Sequence, residues 1–158
     1  LRDYTLNILK LKNYKKMKID KNWIVGFVDG EGCFYVGINR SEELKVGYQV
    51  LPEFRIVQHK RDLKLLYAIK DFFGYGSVVC NKSKGSDIYE YRIRKFETLH
   101  DVILPFFESN ELLTTKKFNF LAFRDIVLIM KKQEHLTESG LQKIIDIKAR
   151  MNRSSIFR

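Results

Sequence analysis

The chain has 158 residues, 45% of them hydrophobic and 13% aromatic, which suits one globular domain with a core and argues against a disordered segment. Its 29 Lys and Arg against 19 Asp and Glu leave a net charge of +10, so polyanions are the expected partners, nucleic acid foremost, although ribosomal and membrane-surface proteins share this balance. No apolar run is long enough to cross a bilayer, and Cys33 and Cys80 have neither metal-ligand spacing nor a disulfide framework, which fits a reducing compartment.

Residues 1–22 read as a basic N-terminal extension carrying Lys10, Lys12, Lys15, Lys16, Lys18 and Lys21. A transit peptide fits it poorly, because Asp3 and Asp20 are present and Ser and Arg are scarce. A single domain is expected over 23–152, followed by a tail over 153–158. Residues 23–31 form a short, mostly apolar segment with two glycines on one face. From Cys33 to Arg40, Phe34, Val36 and Ile38 alternate with Tyr35, Gly37 and Asn39, the pattern of a half-buried strand. A polar turn over 41–47 leads to a second strand, in which Val50, Phe54 and Ile56 alternate with Gln49, Glu53 and Arg55. Leu63, Leu66, Ile69 and Phe73 have helical spacing, and Gly74 supplies the stop for a helix over 61–73. Residues 77–82 and 88–95 read as a hairpin around Lys84-Gly85. Helices are expected over 97–108, 116–132 and 137–151, the last capped by Thr137. The order predicts an α+β domain in which one antiparallel sheet is covered by helices.

One face of that sheet carries Tyr35, Asn39, Gln49, Glu53, Arg55, Ser77, Asn81, Glu90 and Arg92, with Arg40 and Lys82 at its ends. An ordinary solvated sheet face is one reading. The other is a surface laid in a DNA major groove, where Arg, Gln and Asn read base edges. The strong positive charge favours the second.

The segment Ile24-Val25-Gly26-Phe27-Val28-Asp29-Gly30-Glu31-Gly32 is the most informative. Gly26 and Gly30 fall on one helical face, although Gly costs about 1 kcal/mol against Ala inside a helix. The spacing suggests close backbone approach, either to a partner helix or within the chain. Asp29 and Glu31 stand at the C-terminal end of this helix, where the macrodipole disfavours negative charge. A divalent cation would account for them, since hard cations take carboxylate and carbonyl oxygens.

These nine residues resemble the signature of the LAGLIDADG homing endonucleases, with Gly26, Asp29 and Gly32 in register and Glu31 in place of the usual second Asp. The later stretches Leu104-Pro105-Phe106-Phe107, Leu113-Thr114-Thr115-Lys116-Lys117 and Glu134-His135-Leu136-Thr137 also resemble that family, so the likeness spans residues 22–152. It implies an αββαββα core whose antiparallel sheet forms a DNA-binding saddle, with further C-terminal helices. The single signature implies a homodimer paired through Gly26, Asp29 and Gly30, and hence a palindromic or nearly palindromic double-stranded DNA target.

The resemblance further implies phosphodiester hydrolysis across the minor groove, dependent on Mg²⁺, with Mn²⁺ or Ca²⁺ substituting in binding. Glu31 and the Gly32 carbonyl would be the metal ligands. Gln58 matches a residue that orders the attacking water, and Lys116, or else Lys117, matches the basic residue that offsets developing phosphorane charge. His59 reads as a surface or DNA-contacting residue. An enzyme encoded in a mobile intron of a mitochondrion or chloroplast is the implied context. The competing readings are a DNA-binding protein without cleavage, a maturase acting on intron RNA, and a basic ribosomal protein.

Overall fold

The computed structural model describes residues 17–84 and 86–151. The first helix, α1 (Lys21–Glu31), is capped by Asp20, whose side chain accepts from the Trp23 amide at 2.9 Å. It therefore begins two residues before the expected domain boundary. Two long strands follow, β1 (Gly32–Arg40) and β2 (Tyr48–His59). The helix α2 (Leu63–Phe73) ends, as the sequence predicts, on Gly74, in the left-handed region at φ 74°. A short 3₁₀ turn, Lys60–Asp62, takes the place of its expected first residues.

The second pair of strands, β3 (Ser77–Cys80) and β4 (Ile88–Ile93), is shorter than expected. Lys82–Lys84 form a 3₁₀ turn between them, and Gly85 of the expected hairpin tip lies outside the described residues. The next helix, α3, is not uniform. It runs as Phe96–Thr98, a π turn over Leu99–Ile103, then Leu104–Ser109. Pro105 gives the reason, because it has no N–H to donate and its ring crowds the carbonyl four residues back. Widening the preceding turn accommodates both defects. Two further helices follow, α4 (Lys116–Lys131) and α5 (Glu138–Arg150), and Thr137 caps α5 by accepting from Gly140 at 3.1 Å.

The strands form one antiparallel sheet in the order β1-β2-β4-β3. Phe34, Val36, Phe54, Ile56, Tyr91 and Ile93 line its inner face, all buried against the helices. Phe34 lies at the centre, with the rings of Phe54, Phe107, Phe120 and Phe123 5.3–5.5 Å away. Such ring contacts add about 0.5–1.5 kcal/mol each beyond burial. No helix among the described residues is long and apolar enough to cross a membrane. Neither Cys33 nor Cys80 forms a disulfide.

Candidate nuclease site at the end of the first helix

The passage from α1 into β1 is abrupt. A Cβ on Gly32 would lie 2.8 Å from the Val28 carbonyl oxygen, so only glycine permits the strand to leave the helix at this angle. The turn leaves Glu31 exposed at the helix end. Register then decides what Glu31 meets. Gly32 faces Ile56 across the β1–β2 ladder, which carries Gln58 two residues further to the level of Glu31. The Gln58 Nε2 donates to Glu31 Oε2 at 3.2 Å. The two residues lie 27 positions apart in the chain.

Lys116, the first residue of α4, enters the same corner. Its ammonium donates to the carbonyl of Gly32 and reaches that of Gly30 at 3.4 Å. Lys117 turns away and pairs with Glu111. Of the two lysines open to the sequence reading, Lys116 is the one in the site. The carbonyl oxygens at a helix C-terminus attract positive charge, and here a cationic side chain already occupies their field.

Asp29 ties this corner together. Its carboxylate accepts from the Leu113 amide at 2.7 Å, the Thr114 amide at 3.2 Å and the Thr114 hydroxyl at 2.7 Å. Burial pushes the Asp29 carboxyl up, but these hydrogen bonds and the charge of Lys116 outweigh it and hold its pKa below the ordinary value. Asp29 thus fixes the loop that delivers Lys116. Leu113 and Thr114 were not visible as its partners in the sequence, since only the fold brings them together. His59 stays apart, its Nδ1 accepting from the Arg61 amide at 3.2 Å.

No group of three or more His, Cys, Asp or Glu with the geometry of a metal site exists among the described residues. The donors at the end of α1 are one carboxylate, from Glu31, and the Gly30 and Gly32 carbonyls, a hard-oxygen set of the kind Mg²⁺ takes once the Lys116 ammonium moves off those carbonyls.

On the outer sheet face, Tyr35, Asn39, Arg40, Gln49, Ser77 and Lys82 are exposed. Arg55, Arg92 and Asn81 are half-buried, whereas Glu53 and Glu90 are only 4% and 5% exposed. Glu53 and Glu90, expected among the solvated or DNA-facing residues, lie on this face but are covered by arginine side chains. Glu53 pairs with Arg55 and Arg94, and Glu90 pairs with Arg92. Arg94 was not among the expected face residues. It lies one residue beyond the end of β4, but the period of two from Arg92 marks it.

Gly26 and Gly30 resolve an open point. A Cβ at either would meet nothing within 4 Å, so no close contact among the described residues requires glycine there.

A sheet of order β1-β2-β4-β3 backed by helices, with a carboxylate, an amide and an ammonium gathered where the first helix enters it, is the architecture of one protein class. The family model of the LAGLIDADG endonucleases matches residues 24–127, more than half of the chain. The protein is 33% identical over 145 residues to a probable intron-encoded endonuclease of Neurospora crassa, covering 90% of this chain and 27% of that protein. It is 52% identical to the homing endonuclease I-TnaI, whose crystal structure superposes with a TM-score of 0.82 over 87% of this chain and 91% of that one. The I-SmaMI LAGLIDADG homing endonuclease bound to cleaved DNA is 33% identical, with a TM-score of 0.84 over 90% of this chain and 47% of that chain. This chain belongs to the LAGLIDADG endonuclease family. It spans 27% of the length of the curated Neurospora relative and about half of the I-SmaMI chain.

Proposed function

We propose that this chain is the recognition and cleavage unit of a site-specific homing endonuclease, which cuts both strands of a long, pseudo-palindromic DNA site with divalent metal and promotes the mobility of an organellar intron. The observation that carries the proposal is the convergence of Glu31, Gln58 and Lys116 from three separate elements at one corner of the fold. It is supported by the family relationship and by a relative seen bound to cleaved DNA.

In the reaction, the oxygen of a water forms a bond to phosphorus while the opposite P–O bond breaks. The water gives up a proton, and the departing sugar oxygen takes one up. Glu31 and the Gly32 carbonyl, once Lys116 has released that carbonyl, would hold the metal, which when bound supplies activation of the water and neutralisation of charge. The Gln58 amide donates to Glu31 through its nitrogen, leaving its oxygen free to accept from that water. The Lys116 ammonium offsets the charge developing on the phosphoryl oxygens. Two such units, one per strand, make a double-strand cut, and a second copy of this chain is the proposed partner.

Cleavage of a randomised palindromic DNA library, with Mg²⁺ and with EDTA, by wild type and by Glu31→Gln tests the proposal. Metal-dependent double-strand cuts at one family of sites, reduced at least about 10³-fold in the variant, are expected. Site-specific binding without cleavage would identify a silent DNA-binding protein or a maturase instead.

A further inference from the structure

Two nearly buried carboxylates on a face otherwise suited to DNA call for an explanation. Arg55 on β2 and Arg92 on β4 stand directly opposite one another, and Arg94 follows two residues on, on the same face. Like charges placed opposite across a ladder destabilise a sheet. The two glutamates offset this repulsion from below. Glu53 accepts from Arg55 at 3.5 Å and from Arg94, while Glu90 accepts from Arg92 at 3.0 Å and from the Asn81 amide at 3.1 Å. The carboxylates form the floor, their side chains 6% exposed, and the guanidinium groups form the top, with 31%, 27% and 60% of the Arg55, Arg92 and Arg94 side chains exposed.

Arg55 is fixed from a second side, its guanidinium lying 4.7 Å from the centre of the Tyr35 ring. Burial alone would lower its pKa, but Cys33, Glu53 and Glu90 around it hold the pKa above the ordinary value. None of the three arginines exhausts its donors. Among the described residues Arg55 donates to Glu53 and to Cys33, Arg92 commits one terminal nitrogen and Arg94 its Nε, so each five-donor fork keeps N–H groups for an outside acceptor.

Stability is a weak reason for such a network, since buried ion pairs are often replaced by apolar residues without loss. Orientation is a stronger one. A guanidinium held rigidly loses little entropy on binding, and its fork matches the O6 and N7 acceptors of guanine in the major groove. We propose that Glu53 and Glu90 are positioning residues that hold Arg55, Arg92 and Arg94 as a preorganised cluster selecting guanines in the DNA half-site. The proposal rests on the DNA-recognition reading above and gives the two acids a different role from reading bases themselves.

The test is selection of bound duplexes from a randomised palindromic library with Ca²⁺, followed by sequencing. Wild type is compared with Arg94→Lys, Glu53→Gln and Glu90→Gln, each also measured for binding to random DNA and for thermal melting. Arg94→Lys keeps the charge at a well-exposed position and should fold normally. It should keep affinity for random DNA but lose guanine preference at one position by about 10-fold. The glutamate variants should broaden the arginine-read positions several-fold while binding random DNA more tightly, having lost a negative charge.

Three outcomes overturn the proposal. An unchanged Arg94→Lys profile does so even if the glutamate variants fail to fold. Glutamate variants that melt lower with unaltered base preference would make the network structural. A lost cytosine preference would show the acids themselves reading bases. In all three cases wild type still selects a site, so the function reading stands; wild type selecting no site would remove both.

Discussion

Asp29 shows how one carboxylate is kept charged where the helix end disfavours it. Its pKa is lowered, because hydrogen bonds from Leu113 and Thr114 together with the charge of Lys116 outweigh the opposing effect of burial. A group more acidic in the folded chain than in the unfolded one stabilises the fold above its unfolded value, near 3.8 here, and that contribution disappears as pH falls through the folded value. Asp29→Asn should therefore lower stability at neutral pH, by an amount that shrinks as both proteins are taken from about pH 5 to below 3. Urea titrations across that range measure the gap. A gap that stays constant would show that shape rather than charge matters at this position. Under the proposed nuclease function, the same variant should slow cleavage, because the loop that carries Lys116 is loosened while Glu31 and Gln58 are untouched.

The junction between α4 and α5 depends on a close approach of backbone. A Cβ on Gly140 would fall inside the Glu134 carbonyl, which lies in the 3₁₀ turn Glu134–Leu136 packed against α5. Backbone cannot swing aside as a side chain can. Gly140→Ala should cost about 3 kcal/mol, at the upper end of overpacking effects. For a domain of this size that lowers the melting temperature by roughly 6–12 °C, read by calorimetry. A shift under about 2 °C would mean that the turn relaxes freely. This contact was not legible in the sequence, where Gly140 looks like any glycine near a helix start. What was legible is periodic. The alternation in β1 and β2, the spacing in α2 with its glycine stop, and the Thr137 cap all stand in the structure, since each reports a local face or end. The π turn left only Pro105 as a trace. The burial of Glu53 and Glu90 left none, because alternation tells which face a residue takes and not what covers it. Likewise, two lysines begin α4, and their different directions around the helix put Lys116 in the site and Lys117 beside Glu111.

At the scale of the whole molecule, the described residues leave one surface of α1 unfilled. The helix buries only Ile24 and Val28 fully against its own sheet and core. Trp23, Gly26, Phe27 and Gly30 follow the i, i+3, i+4, i+7 pattern of a second face. Trp23 is 41% exposed and stacks on Phe27 at 4.7 Å, while the space over both glycines is open. Under the proposed pairing, a second copy of α1 lies there, with the glycines letting the two backbones approach. The double variant Gly26→Ala/Gly30→Ala separates pairing from folding, because the two respond with opposite sign. Among the described residues of one chain nothing opposes the added methyl groups, and each alanine favours the helix by about 1 kcal/mol, so the unpaired fold becomes more stable. Between copies the methyl groups hold the helices apart, and the dissociation constant should rise by at least about 10-fold, equivalent to 1.4 kcal/mol. Sedimentation velocity over a concentration series measures the pairing, and melting at the lowest concentration measures the fold. A variant that pairs like wild type would place the second unit elsewhere on the molecule. One that pairs less but also melts lower when unpaired would show that the glycines serve the chain's own packing. Weaker pairing with a firmer unpaired fold is the combination that assigns this face to a second copy.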